Sequence, residues 1–216
     1  SILQNEVLDV NKIHFILAVN ENNDNIDGLL NEIFDLLDKY RTKYNLKNKE
    51  EYYSKLAIKG RYDSKEVIFI KRLLQRELQE TARKKIVDKL FKKYLDVEEK
   101  VLSNELYMNI EQLRCMHRNG MHIGSHGYDH YWLDSIPHEK LKKEIDLSKD
   151  FLKEVGTPKN LWTFCYPYGA YNDEVCWLLK KNSFKLGFTT EPKIANLDKE
   201  SAMVLPRIDT NEVSYQ

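Results

Sequence analysis

From Asn109 to the end of the chain, short apolar runs alternate with amphipathic stretches, and this alternation constrains the fold more than any other feature. Asn109 and Gln112 form a capping pair opening "IEQLRCMHRN", and Gly120 stands where that helix would close. "MHIGS" then reads as a short buried strand. "HEKLKKEIDLSKDFLKEV" begins near Ser135 and Pro137 and is stopped by Gly156 ahead of Pro158, so it is an amphipathic helix. "LWTFC" follows as a strand, "NDEVCWLLKKN" as a helix capped at Asn172, and "FKLGFTT" as another strand. Helices between successive strands predict a parallel sheet, since each crossover returns the chain to the same end. Loops at strand ends carry ligands and catalysts in such sheets. His126, at the end of "MHIGS", and Tyr166 to Gly169, at the end of "LWTFC", are therefore expected on one rim.

Residues 25–100 have a different texture, with Gly28 and Gly60 the only glycines and no proline. Ile26, Leu29, Leu30, Ile33, Phe34, Leu37 and Tyr40 form one helical stripe. Val67, Ile70, Leu73, Leu74 and Leu78 form a second, and Ile86, Val87, Leu90, Phe91 and Tyr94 a third. Three helices can close on each other with a solvated charged face. Nothing specific marks the block as a docking surface. Ahead of it, "VNKIHFILAV" is apolar without deciding between strand and helix, and the first residue, Ser1, reads as an internal start.

Charge and cysteine usage narrow the partners. Lys plus Arg and Asp plus Glu balance at 34 each, so no net field attracts nucleic acid or an anionic membrane. No run approaches the ~20 apolar residues of a bilayer span, and the N-terminus lacks a basic segment followed by an apolar one. Cys115, Cys165 and Cys176 fit neither a zinc spacing nor a disulfide framework, which points to a reducing, cytoplasmic setting.

The chemistry concentrates in "GSHGYDH", residues 124–130. His126 and His130 have the i, i+4 spacing at which two imidazoles can bridge one ion, though a bare pair also suits two hydrogen-bonded loop residues. A catalytic metal needs a third ligand, and Asp129, Asp134 and Asp209 are the carboxylates nearest to hand. His122 is a supporting group or a buried, satisfied histidine. Cys165 reads as core, since an apolar strand raises a thiol pKa. Trp132, Tyr131, Tyr171 and Trp162 offer flat apolar faces for a ligand against a default of burial, with Tyr131 and Tyr171 preferred for their place beside the motifs.

"MHIGSHGYDHYWL", "LKKEIDLSKDFLKEVG", "TFCYPYGAYN", "LGFTT" and "LPRID", in that order, resemble the polysaccharide deacetylase (NodB-homology) family, carbohydrate esterase family four. The resemblance implies an α/β fold, a distorted (β/α) barrel incomplete at its N-terminus. The barrel domain would span residues 1–216, with 25–100 a helical insertion. His126 and His130 would hold zinc or another divalent metal, and the Tyr168 backbone N–H would stabilise the oxyanion of amide hydrolysis. Arg207 would orient a catalytic group or bind substrate, and Asp209 would hydrogen-bond a histidine; a structural ion pair is the alternative for both. Tyr131, Pro167 and Tyr171 would contact an N-acetylated amino sugar of a glycan or glycan precursor. The family's T-F-D-D motif, source of the third ligand and general base, has no counterpart: Asp24 in "ENNDN" and Asp63 in "RYDSK" lie in polar contexts. The implied function is metal-dependent deacetylation. The alternative is a glycan-binding module that keeps the fold without the chemistry.

Overall fold

The structure, a computed structural model, describes residues 6–60, 63–210 and 213. It divides into a helical unit, Glu6–Ser103, and an α/β unit from Asn104 onward.

The helical unit contains α1 (Asp9–Asn22), α2 (Ile26–Tyr44), α3 (Lys49–Leu56), α4 (Lys65–Arg72), a π-helical turn (Leu73–Glu77), α5 (Glu80–Tyr94) and the start of α6 (Glu99–Leu106). Local chemistry sets the boundaries. Asn48 and Ser64 accept the backbone N–H groups of Glu51 and Val67 at the starts of α3 and α4. Asn45 closes α2 in the left-handed conformation. All three apolar stripes turn inward: Leu29, Ile33, Ile70, Leu73, Leu74, Ile86, Val87 and Leu90 are completely buried. Burial of such side chains contributes about 1.5–3 kcal/mol each.

The ambiguous N-terminal stretch is helix α1, because Ile13, Ile16 and Leu17 fall on one helical face and join the same core. The helical unit therefore reaches back to Glu6, ahead of the expected start at residue 25. Lys12, buried on α1, is balanced by Asp88 at 2.7 Å and Glu99 at 2.8 Å. Desolvation works against its charge, but these two carboxylates outweigh it and leave the ammonium pKa raised.

The α/β unit follows the predicted alternation: α7 (Ile110–Arg118), α8 (His138–Val155), β1 (Thr163–Cys165), α9 (Asp173–Lys181) and β2 (Leu186–Phe188). The Asn109–Gln112 capping box is fully formed, Asn172 caps α9, and Gly156, at φ 96°, ends α8. β1 and β2 pair in parallel, with Phe164 opposite Gly187. Parallel bridges add Ser125 beside Phe164 and Leu205 beside Phe188. The four segments thus lie side by side in chain order, the order of a singly wound barrel and not of a sheet that reverses at a switch point. Among the described residues the sheet is an arc of two short strands and two flanking bridges, so the expected barrel is seen only as that arc.

One predicted strand is corrected. "MHIGS" pairs only at Ser125, whose N–H donates to Thr163 O and whose carbonyl accepts from Cys165 N. His122 and Gly124 are exposed, leaving no apolar face to continue the ladder. Beneath the arc, Leu141, Ile145 and Leu152 of α8 and Val175, Leu178 and Leu179 of α9 pack with Trp162, Phe164, Tyr166 and Phe184.

Candidate functional site

The C-terminal end of β1 and the residues after Ser125 carry the predicted motifs. His126 follows the Ser125 bridge directly, and its Nδ1 lies 2.8 Å from the carbonyl oxygen of Cys165. A carbonyl only accepts, so this ring nitrogen carries a proton, and in the neutral imidazole Nε2 then presents a lone pair. The chain then turns back through Gly127 (φ 77°) and His130 (φ 58°), both left-handed. The turn brings His130 Nε2 to 3.1 Å from His126 Nε2, with the rings edge to face.

Two zinc–nitrogen bonds of about 2.0–2.1 Å at a tetrahedral angle hold their nitrogens about 3.3 Å apart. The imidazole pair therefore fits two positions of a tetrahedral metal site. Among the described residues, no cluster of three or more His, Cys, Asp or Glu side chains is arranged to hold a metal ion.

The opposite wall is the turn Pro167–Gly169. Tyr168 is left-handed at φ 57°, and Gly169, at φ 70°, sits where a Cβ would meet the Thr190 side chain. The Tyr168 ring packs edge-on against His130 with centroids 4.7 Å apart and stacks on Trp132 at 4.4 Å, nearly parallel. His130 thus stands between His126 and an aromatic pair.

The other predicted residues divide. Pro167 is buried, its ring facing the Gly127 Cα. Tyr171 is 38% exposed and lies against Tyr166. Tyr131 is corrected from a sugar-contacting residue to a core residue: it is 6% exposed and joins the core beneath the arc, with Lys140 Nζ over its ring. The turn at His130 sends the next side chain inward. His122 is exposed and hydrogen-bonded to Thr163 Oγ1 at 3.0 Å, not buried. Arg207 donates from Nε to Thr189 O at 2.8 Å and reaches the Cys165 thiol at 3.7 Å. Burial pushes that thiol pKa up, against the opposing pull of the guanidinium. Asp209 is exposed, and Asp63 is paired with Lys71 within the helical unit.

Glu144 was not singled out by the sequence reading. It is 3% exposed on α8, and its Oε2 accepts the backbone N–H groups of Tyr128 and Asp129, both at 3.0 Å. Burial pushes its carboxyl up to about 7; the Asp129 carboxylate adds to the rise, while the two N–H bonds and Lys140 oppose it. The available signal was a charged residue on the stripe of Leu141, Ile145, Ser148, Leu152 and Val155.

Fold and site together define a parallel α/β unit with a two-histidine rim facing an aromatic turn. The sequence model of the polysaccharide deacetylase family matches residues 79–187, half of the chain, beginning within the helical unit. The chain belongs to the polysaccharide deacetylase family. Among its relatives is YxkH of Bacillus subtilis, 28% identical over 100 residues, covering 46% of this chain and 36% of YxkH. The poly-β-1,6-N-acetyl-D-glucosamine N-deacetylase of Staphylococcus epidermidis is 33% identical over 100 residues, covering 46% of this chain and 34% of that protein. The matched region is thus about a third of the length of these relatives. The solved structure of the Streptococcus pyogenes deacetylase PplD in complex with acetate is 28% identical at a TM-score of 0.43, covering 47% of this chain and 44% of PplD.

Proposed function

We propose that this chain carries the histidine pair and oxyanion turn of a metal-dependent hydrolase that removes N-acetyl groups from an amino sugar of a glycan or glycan precursor. The observation that carries the reading is the 3.1 Å approach of two imidazole Nε2 atoms beside the Tyr168 turn. Family membership supports the reaction class, and the Staphylococcus epidermidis relative supports N-acetylglucosamine as the sugar.

His126 and His130 would hold the ion, zinc being the cation whose geometry their spacing matches. A divalent ion there supplies Lewis-acid polarisation of the amide carbonyl and of water. The chain's own residues act around it. The Cys165 carbonyl fixes the tautomer of His126 so that Nε2 faces inward. The Tyr168 backbone N–H would meet the negative charge developing on the carbonyl oxygen. Of the three residues expected to contact the sugar, Tyr171 is the one that presents an exposed aromatic face, and Arg207 would act from its anchorage on Thr189. Among the described residues no third His, Cys, Asp or Glu side chain joins the pair in a metal-holding cluster, so residues 1–216 alone are expected to bind the ion weakly and turn over negligibly.

Competition titration of the chain with Zn(II) tests this, with His126→Ala and His130→Ala as controls. One site per chain, lost in both variants, is expected. Equal uptake by wild type and both variants would overturn the metal site and leave a glycan-binding module as the reading.

A further inference from the structure

The hydrogen bonds from Tyr128 and Asp129 to Glu144 have a consequence for the histidines on either side of them. Both N–H groups belong to the three-residue turn between His126 and His130, and both end on the same oxygen. Successive backbone N–H groups converging on one acceptor form a concave donor nest, which holds its turn only while the acceptor stays in place. That acceptor comes from α8, not from the turn. Its position is fixed by neighbours on the same helix face, Leu141 and Ile145, each 1% exposed. A Cβ on Gly127 would stand 3.8 Å from Glu144 Oε2 and 3.2 Å from Pro167 Cγ, so the turn is closely seated on both sides.

An apolar residue would satisfy the α8 stripe at this position without the desolvation cost of a carboxyl group. The polar group instead satisfies two backbone donors that define the path from one imidazole to the other. We infer that Glu144 is a positioning residue that sets the spacing of His126 and His130 for their shared cation. The inference rests on the metal-site reading above. It assigns the geometry of the pair to a side chain outside the motif, with no direct contact between Glu144 and the ion.

Substitution separates positioning from a general contribution to folding. Because both bonds fall on one oxygen, Glu144→Gln retains an acceptor of the same reach. Glu144→Asp keeps the charge but withdraws the oxygen by one methylene, and Glu144→Ala removes it. The test is Co(II) titration of the chain, read by the visible ligand-field bands, with Zn(II) competition for affinity and circular dichroism for the fold. Outer-shell partners of metal-bound histidines are typically worth about 10–100-fold in affinity. Glu144→Gln is expected within about threefold of wild type, while Glu144→Ala and Glu144→Asp lose about tenfold or more with altered Co(II) bands. If Glu144→Ala does not fold, Glu144→Asp decides alone.

Unchanged affinity and spectrum in folded Glu144→Asp or Glu144→Ala would overturn the positioning role. Failure of wild type to bind better than His126→Ala would overturn the metal site itself, and the positioning role with it. Histidine-dependent binding by wild type with equal loss in Glu144→Gln and Glu144→Ala would show that the acceptor geometry is not what matters, and would also overturn the inference.

Discussion

The Nδ1 atom of His126 meets the main-chain carbonyl of Cys165 at 2.8 Å, so the end of β1 holds this face of the imidazole through its backbone. The contact uses backbone, and the thiol takes no part in it. Cys165→Ala is therefore expected to leave Zn(II) affinity within about twofold of wild type, whereas an outer-shell side chain would cost 10–100-fold. Competition titration of the two proteins checks this.

Gly127 occupies a left-handed conformation at φ 77°, with Pro167 Cγ 3.2 Å from where a Cβ would stand. Gly127→Ala combines backbone strain with a contact the proline ring must yield to. A destabilisation of about 1–2 kcal/mol is expected, read as a lower urea midpoint with an unchanged slope.

Glu144 links stability to pH. Its carboxyl is raised from 4.5 to about 7 in the folded chain, so between these values the folded state binds more protons than the unfolded one. Stability from this group is greatest below the unfolded pKa and declines as pH rises through the folded pKa, by up to about 3 kcal/mol. The charges facing it are the Asp129 carboxylate, which adds to the effect, and Lys140, which opposes it. Glu144→Gln should flatten this part of the stability curve between pH 4.5 and 7 relative to wild type, measured by urea denaturation across that range. An unchanged difference between the two proteins at both ends of the range would contradict the prediction.

Tyr166 is completely buried and donates its hydroxyl to Met203 O at 2.6 Å. Burial first, then the neighbouring Cys176 thiol, hold its phenol pKa well above the usual tyrosine range. Tyr166→Phe leaves a buried carbonyl without this donor and should cost about 1–3 kcal/mol, seen as a lower thermal midpoint.

Much of the α/β unit was legible because its signals are local. Gly156 needs the left-handed region, Asn109 and Gln112 cap each other, and the α8 stripe has helical spacing. The parallel, chain-order sheet followed from helices lying between strands. The histidine pair was legible as spacing, but its geometry depends on left-handed backbone at Gly127 and His130. That same turn carries Tyr131 into the core, which proximity to the motif could not reveal. Ser125 pairs as a single bridge because the sheet's support stops where the segment loses its apolar face. Glu144 escaped notice because its partners are main-chain N–H groups, which residue identity does not disclose.

The chain-order arc also separates two kinds of connection. His126 and Tyr168 leave the sheet at strand C-terminal ends, while the returns from helix to strand, at Asn119–Met121, Gly156–Leu161 and Asn182–Lys185, lie at the opposite ends. Exposed Gly156 and Lys159 in one of these returns make it a place to graft an affinity handle or fluorophore attachment sequence at the strand ends opposite the imidazoles, so that the proposed metal binding can be tested optically without altering His126 or His130.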